Sequence, residues 1–393
     1  MRLPYFALTV LLIISILSDV YLYFVLRSAF RRKIWAISHV VFAAIFNIAF
    51  LTVLLYPVRT TDNDRLPVIM WTIYVYGSVY LSKYLFVLLD VISRVPRLFH
   101  RDRWRWLSVV GSVSATVLFV VMWWGALYNR FDLEVKEVDV CDKSLPANFE
   151  GYRIALISDL HLGTFGDDTT FVHDIVERIN GMYPDMIVFS GDIVNRNSAE
   201  LKPFVRTLSG LKAGDGVYSV LGNHDYGDYM DWPDETTKVC NLQSLKDMQK
   251  QMGWHLLDNE HTAVGRGSDS IIIVGVENIG DPPFHIYGDL RKAYPTPGDD
   301  KFKILISHNP SHWDKEIQDV DTVNVALTLS GHTHAMQMSV LGFSPIKWRY
   351  PHWGGLYADS KRQHLYVNIG AGEVGFPARI GARPEITLIT LKR

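Results

Sequence analysis

Four apolar stretches crowd the first 127 residues, at about 4 to 26, 34 to 56, 67 to 92 and 107 to 127. A helix needs about 20 mostly apolar residues to cross a bilayer. Hydrocarbon admits only segments that satisfy their own backbone hydrogen bonds. A four-helix transmembrane region is therefore expected. Buried helices of a water-soluble domain would show one polar face, and these show almost none. The first stretch exceeds the apolar region of a signal peptide and runs into "RSAFRRK", with no small-residue cleavage site.

Charge in the connecting loops orients the bundle. Residues 27 to 33 hold Arg27, Arg31, Arg32 and Lys33, and residues 93 to 106 hold Arg94, Arg97, Arg101, Arg103 and Arg105 against Asp102. The middle loop balances two Arg with two Asp. The positive-inside rule puts the first and third loops in the cytoplasm, and hence everything after residue 127 outside the cell (inner) membrane. Asp19, His39, Lys83 and Asp90 interrupt the apolar segments. Asp19 and Lys83 can pair across helices.

At 393 residues the chain exceeds one typical domain, so a second is expected. With 39 Lys and Arg against 41 Asp and Glu, no nucleic-acid partner is expected. Residues 128 to 151 are polar and read as a tether. Beyond them "YRIALIS", "DMIVFSG", "GVYSVLG", "SIIIVGV" and "FKILISH" have strand length and composition, while "TTFVHDIVERIN" spaces Phe171, Ile175 and Ile179 as a helix does. The class is α/β, a layered arrangement over 152 to 393 with chemistry beyond the carboxyl ends of the strands.

Five strand ends carry metal-binding residue types: "ISDLH", "FSGDIVN", "LGNHD", "ISHNP" and "LSGHTH". Each alone is explained by turn formation. Five at corresponding positions are not. Their order, Asp159 with His161, Gly191 with Asp192, Gly222 to Asp225, His308, and Gly331 to His334, resembles the calcineurin-like metallophosphoesterases. The resemblance implies a layered β-sandwich flanked by helices. It looks most like the membrane-anchored branch grouped with UDP-2,3-diacylglucosamine hydrolases, because the chain also ends in "NIGAGEVGFPARIGARPEITLITL".

The resemblance also implies roles. Asp192 would bridge two divalent ions, one completed by Asp159, His161 and His334, the other by Asn223, His308 and His332. His224 would face the substrate and protonate the leaving oxygen, and Asp225 would orient its ring. Two such ions clamp the attacking and leaving oxygens at phosphorus and activate water near neutral pH. Imidazole, carboxylate and amide ligands together suit Mn, Fe or Zn over Ca, with Mn the foremost expectation. Many relatives read G-H-T-H-G-G-Q where this chain has "GHTHAMQ", so Ala335 and Met336 alter the pocket wall.

Residues 343 to 357, "FSPIKWRYPHWGGLY", mix Phe343, Trp348, Tyr350, Trp353 and Tyr357 with Lys347, Arg349 and His352. Such a mixture suits a membrane interface or an anionic head group, or equally a loop packing its aromatics on the sheet. Arg379 could contact a phosphate, although an Arg on the surface needs no such role. The resulting expectation is a membrane-bound phosphoesterase or pyrophosphatase acting on a lipid or lipid-linked phosphate. One alternative, UDP-2,3-diacylglucosamine hydrolysis in lipid A synthesis, needs a cytoplasmic active site and conflicts with the loop charges. A non-enzymatic membrane sensor is the other, and the complete ligand set argues against it.

Overall fold

The computed structural model describes residues 5–60, 62–281, 285–295, 300–320 and 322–393. The expected start of the first apolar segment, residue 4, lies outside them. Two compact units result: Met1–Leu127 with Gly375–Ala378, and Tyr128–Val374 with Arg379–Arg393.

In the first unit the apolar stretches form four helices, α1 (Tyr5–Ala29), α2 (Ile34–Leu55), α3 (Leu66–Arg94) and α4 (Arg105–Leu127). Each coincides with a segment long and apolar enough to span a membrane, α1 from Leu8 onward. Their outward side chains are largely exposed and aliphatic, the pattern of a lipid-facing surface. The ionisable residues of α1 to α3 meet inside the bundle. Lys83 Nζ lies 2.7 Å from Asp19 Oδ1, and Tyr80 and Asn47 donate to Asp19 Oδ2 at 2.6 and 3.0 Å. His39 Nε2 lies 3.1 Å from the Asp19 carbonyl oxygen. The pairing of Asp19 with Lys83 is thus present, inside a network that leaves neither charge facing lipid alone. Asp90 is held by Arg94 and Arg103 at 2.8 and 2.7 Å and by the Tyr21 hydroxyl at 2.6 Å, which ties α3 to α1.

The second unit is built on two mixed sheets. In chain order the strands are β1 (Glu134–Cys141), β2 (Arg153–Ile157), β3 (Met186–Phe189), β4 (Val217–Ser219), β5 (His255–Leu256), β6 (Glu260–Arg266), β7 (Asp269–Val276), β8 (Lys303–Ser307), β9 (Leu327–Ser330), β10 (Gly355–Ala358), β11 (His364–Val367) and β12 (Glu385–Lys392). One sheet runs β1-β12-β2-β3-β4-β5, the other β10-β11-β9-β8-β7-β6. β2 to β5 are parallel neighbours, as are β7, β8, β9 and β11.

Strand periodicity sorts the side chains into layers. Ile154, Leu156, Met186 and Val188 of one sheet meet Ile271, Ile273, Ile304, Ile306, Leu327 and Leu329 of the other. The alternate residues Ala155, Ile157, Ile187 and Phe189 face α5 (Thr170–Gly181), whose Val172, Ile175, Val176 and Ile179 are buried against them. Central strands buried on both faces read as unbroken apolar runs. α6 (Glu235–Gln251) is capped by Asp234, which accepts from Thr237 N.

Residues 128 to 151 are not a tether. β1 pairs in parallel with β12 over its whole length, from Glu134 opposite Glu385 to Cys141 opposite Lys392, and Leu145 and Phe149 are buried in the core between the sheets. As an edge strand β1 keeps only Val140 fully buried, so its composition is that of a linker.

Buried carboxyls, Glu200 and Glu373 among them, make this unit's stability pH-dependent. Burial pushes Glu200 from 4.5 up to about 7, against the backbone amides of Asn195 and Arg196 and the Arg196 guanidinium. Burial likewise takes Glu373 to about 7 despite Arg130, 2.9 Å away. A raised acid pKa means that the folded chain binds more protons than the unfolded chain between the two values. Stability therefore falls as pH rises through that window and levels off above it. The unfolding midpoint of the detergent-solubilised protein should drop from pH 4.5 to about 7, and Glu200→Gln should flatten that drop. A midpoint that climbs over this range would contradict the assignment.

Candidate metal centre

The polar residues singled out in the sequence follow the carboxyl ends of parallel strands in both sheets. Asp159 and His161 follow β2, Asp192 follows β3, and Asn223 to Asp225 follow β4; His308 follows β8, and His332 and His334 follow β9. Asp159, His161, Asp192, His332 and His334 all take left-handed backbone conformations, with φ of 53, 44, 60, 75 and 51°. Such backbone costs about 1 kcal/mol or more per residue, and it clusters where function dictates side-chain direction. Glycine permits the remaining close approach. A Cβ on Gly222 would overlap the Asp192 carboxylate and backbone nitrogen.

These side chains converge. His161 Nε2 and His334 Nε2 are 3.0 Å apart, and His334 Nε2 is 3.2 Å from Asp159 Oδ1. On the other side His308 Nε2 lies 3.2 Å from His332 Nδ1, from Asn223 Oδ1 and from Asp192 Oδ2. The same Asp192 Oδ2 is 3.6 Å from His161 Nε2, so one carboxylate oxygen faces both groups. Asp159–His161–His334 and Asp192–His308–His332 each bring their ligand atoms close enough to hold a metal ion. Lone pairs on facing imidazoles and carboxylates, packed this closely and buried, are reconciled by cations at ligand distances near 2 Å. His308 Nδ1 donates to the Ser190 carbonyl at 2.8 Å, which leaves Nε2 as the free lone pair.

Electrostatics describe a site short of positive charge. Burial opposes charge on His308, yet Asp192 and Asp159 beside it raise its pKa to about 9. Burial and the neighbouring His308 push His332 down to about 3. Burial works to raise both Asp159 and Asp192, but the surrounding imidazoles hold them below the usual carboxylate range.

The expected partnership of His224 with Asp225 is corrected. Asp225 is fully buried, and its carboxylate accepts from the backbone amides of Asp192, Ile193, Val194 and Gly222 at 2.8 to 3.3 Å. Burial and Asp192 raise it to about 7. Its oxygens are committed to the loop bearing Asp192. The His224 ring is oriented instead by the Asn195 carbonyl, which accepts from Nδ1 at 2.6 Å, and by Tyr229, stacked at 4.1 Å. Tyr229 OH also accepts from Asn223 Nδ2 at 2.8 Å, turning Oδ1 toward His308. Arg379 is not on the surface either. It is fully buried and donates to the carbonyls of Gly372 and Ile369, with Nη2 3.5 Å from His334 Nδ1.

Two family models match the chain. The calcineurin-like phosphoesterase model covers residues 152–336, and that of a probable calcineurin-like phosphoesterase transmembrane domain covers residues 1–130. A "Transmembrane protein with metallophosphoesterase domain" from Danio rerio is 30% identical over 80% of this chain and 71% of its own length. The chain belongs to the calcineurin-like metallophosphoesterases. A Bos taurus protein with the same description is 30% identical over 74% of this chain and 64% of its own, so the chain spans about two thirds of these relatives. Among solved structures, a dimetal phosphatase from Danio rerio is 13% identical, covering 56% of this chain and 88% of that one with a TM-score of 0.35.

As a membrane-anchored metallophosphoesterase the protein is a hydrolase of phosphoric esters. Within that family its "GHTHAMQ" turn keeps the backbone shape that glycine favours. Ala335 and Met336 adopt φ of 50 and 54°. Ala335 is buried and Met336 is more than half exposed. The aromatic and basic segment 343–357 packs some of its aromatics on the fold and leaves others exposed. Tyr350 OH lies 2.9 Å from His332 Nε2, and Trp353 packs on the cluster of Ala335, Ile369 and Ala382. Phe343 and Trp348 face solvent.

Proposed function

We propose that the enzyme hydrolyses a phosphoester or pyrophosphate of a lipid or lipid-linked substrate, using two divalent ions, Mn foremost and Fe or Zn as substitutes. The observation that supports this best is Asp192 Oδ2, shared between the two clusters of ligand atoms. Asp159, His161 and His334 with Asp192 would hold one ion, and Asn223, His308 and His332 with Asp192 the other. When bound, such ions supply Lewis-acid charge at the phosphoryl oxygens and lower the pKa of water.

The chain's own groups do the rest. His224 donates through Nδ1 to Asn195, so Nε2 faces the leaving oxygen and gives it a proton only from the imidazolium form, which burial disfavours and the Asp192 carboxylate favours. Tyr229 and Tyr350 hold Asn223 and His332 in their ligating orientations. The lipid assignment draws on the membrane helices, which raise the effective concentration of any bilayer-borne phosphate. Purified protein in nanodiscs should turn over phospholipids, polyprenyl phosphates or nucleotide sugar lipids faster than soluble nucleotides. Faster turnover of the nucleotides defeats the lipid reading.

The same proposal places the catalytic unit on the extracytoplasmic side of the cell membrane, from the basic first and third loops. Cys141 and Cys240 are free and exposed. A membrane-impermeant maleimide added to intact cells should label both. Labelling only after lysis would put the active site in the cytoplasm and favour the nucleotide-lipid alternative.

A further inference from the structure

Among the described residues, six of the twelve large apolar side chains exposed in the catalytic unit lie between Met336 and Trp348. They are Met336, Met338, Val340, Leu341, Phe343 and Trp348, with Leu341 wholly exposed and Trp348 83% exposed. Val340 and Phe343 exchange both backbone hydrogen bonds across a turn made by Leu341 and Gly342, at φ 51 and 77°. The Phe343 ring meets Trp348 edge to face at 5.7 Å, so the tip is a packed apolar surface and not scattered residues. Monomeric proteins seldom expose such a surface to water without a binding role.

Both roots of this segment are in the metal centre. His334 lies two residues before it, and Tyr350, two residues beyond its far end, touches His332. Ser344 Oγ, donating to the Ala335 carbonyl at 2.5 Å, fastens the base. No Asp or Glu occurs from Thr322 to Ala358, whereas Lys347 and Arg349 add positive charge, the latter also paired to Asp281 at 2.7 Å.

We infer that the Met336–Trp348 hairpin is a lipid-docking element, whose tip enters the head-group region of an anionic bilayer and presents lipid-borne phosphoesters to the metal centre. An apolar tip, an aromatic collar and basic flanks free of acidic residues match the chemistry of that interface. A bilayer is always at hand, since the chain carries four membrane-spanning helices. The inference rests on the lipid-phosphoester reading for its purpose, but the first arm of its test does not.

Full-length protein carrying Cys141→Ser, Cys240→Ser and Leu341→Cys, labelled with an environment-sensitive fluorophore, would be placed in nanodiscs of phosphatidylcholine and phosphatidylglycerol in equal parts. Emission should shift to the blue and be quenched by lipids bearing a nitroxide high on the acyl chain. The same label on Tyr183→Cys should still report water, that side chain being 83% exposed far along the sequence from the hairpin. A label at position 341 that reports water overturns the inference. So does a shift seen only with two copies per disc, which would assign the surface to self-association. In a second arm, Leu341→Asp with Trp348→Asp should lower turnover of dioleoyl phosphatidic acid by about tenfold or more and leave p-nitrophenyl phosphate unchanged. Equal loss on both, or on neither, also overturns it. An inserted label without turnover of any lipid supports docking and defeats the substrate reading; a label in water with brisk lipid turnover does the reverse.

Discussion

Asp192→Asn should cost on the order of a thousandfold in phosphoester turnover and remove at least one of two bound metal ions. Its Oδ2 lies 3.2 Å from His308 Nε2 and 3.6 Å from His161 Nε2, whereas Asp159 approaches the His161 and His334 side. If two ions bind as proposed, changing any other ligand should weaken one of them, and changing this one both. Asparagine retains an oxygen for the His224 amide, which now donates to Asp192 Oδ1 at 2.8 Å, so the loop has little reason to unfold. The measurements are metal content by elemental analysis, circular dichroism, and turnover with added Mn. Unchanged metal content with full turnover would overturn the bridging role. Turnover that survives complete metal stripping of the wild type would overturn the metal mechanism itself.

The residues of the candidate metal centre are legible in the sequence because each follows a short apolar run, and parallel strands deliver their carboxyl ends to one edge of the layers. The transmembrane region was readable from length and composition alone. What escaped notice depends on partners distant in the chain. β1 looked like a tether because an edge strand buries little, and only its pairing with β12 identifies it. Arg379 looked like a surface cation because the carbonyls of Ile369 and Gly372 that satisfy it carry no signature in side-chain sequence. Tyr229 follows the G-N-H-D motif closely, and an aromatic at that spacing was the one available signal for its contacts with Asn223 and His224. Tyr350 stands out in the sequence only as part of an interfacial segment; its contact with His332 needs the loop to fold back on the β9 turn.

Asp225 is the sharpest case, since the motif implied a catalytic partner and the structure gives it a different task. Its carboxylate joins the β4 turn to the loop after β3 through the amides of Gly222, Asp192, Ile193 and Val194. Asp225→Ala should therefore destabilise the catalytic unit by about 4 kcal/mol, because a buried amide left without an acceptor costs roughly 1 to 3 kcal/mol and relaxation recovers only part of the sum. Metal affinity should fall with it, as Asp192 and Asn223 lose their common anchor. Asp225→Asn, which keeps one acceptor oxygen, should fall between wild type and alanine. His224→Gln supplies the contrast: a folded, metal-loaded protein with slow turnover, since the loop that carries Asn195 is fixed by Asp225 and Glu200 and not by this ring. Denaturant unfolding and metal content of the three variants separate the roles. If Asp225→Ala instead keeps wild-type stability and two metals while losing turnover, the aspartate serves His224 after all, and the structural assignment fails.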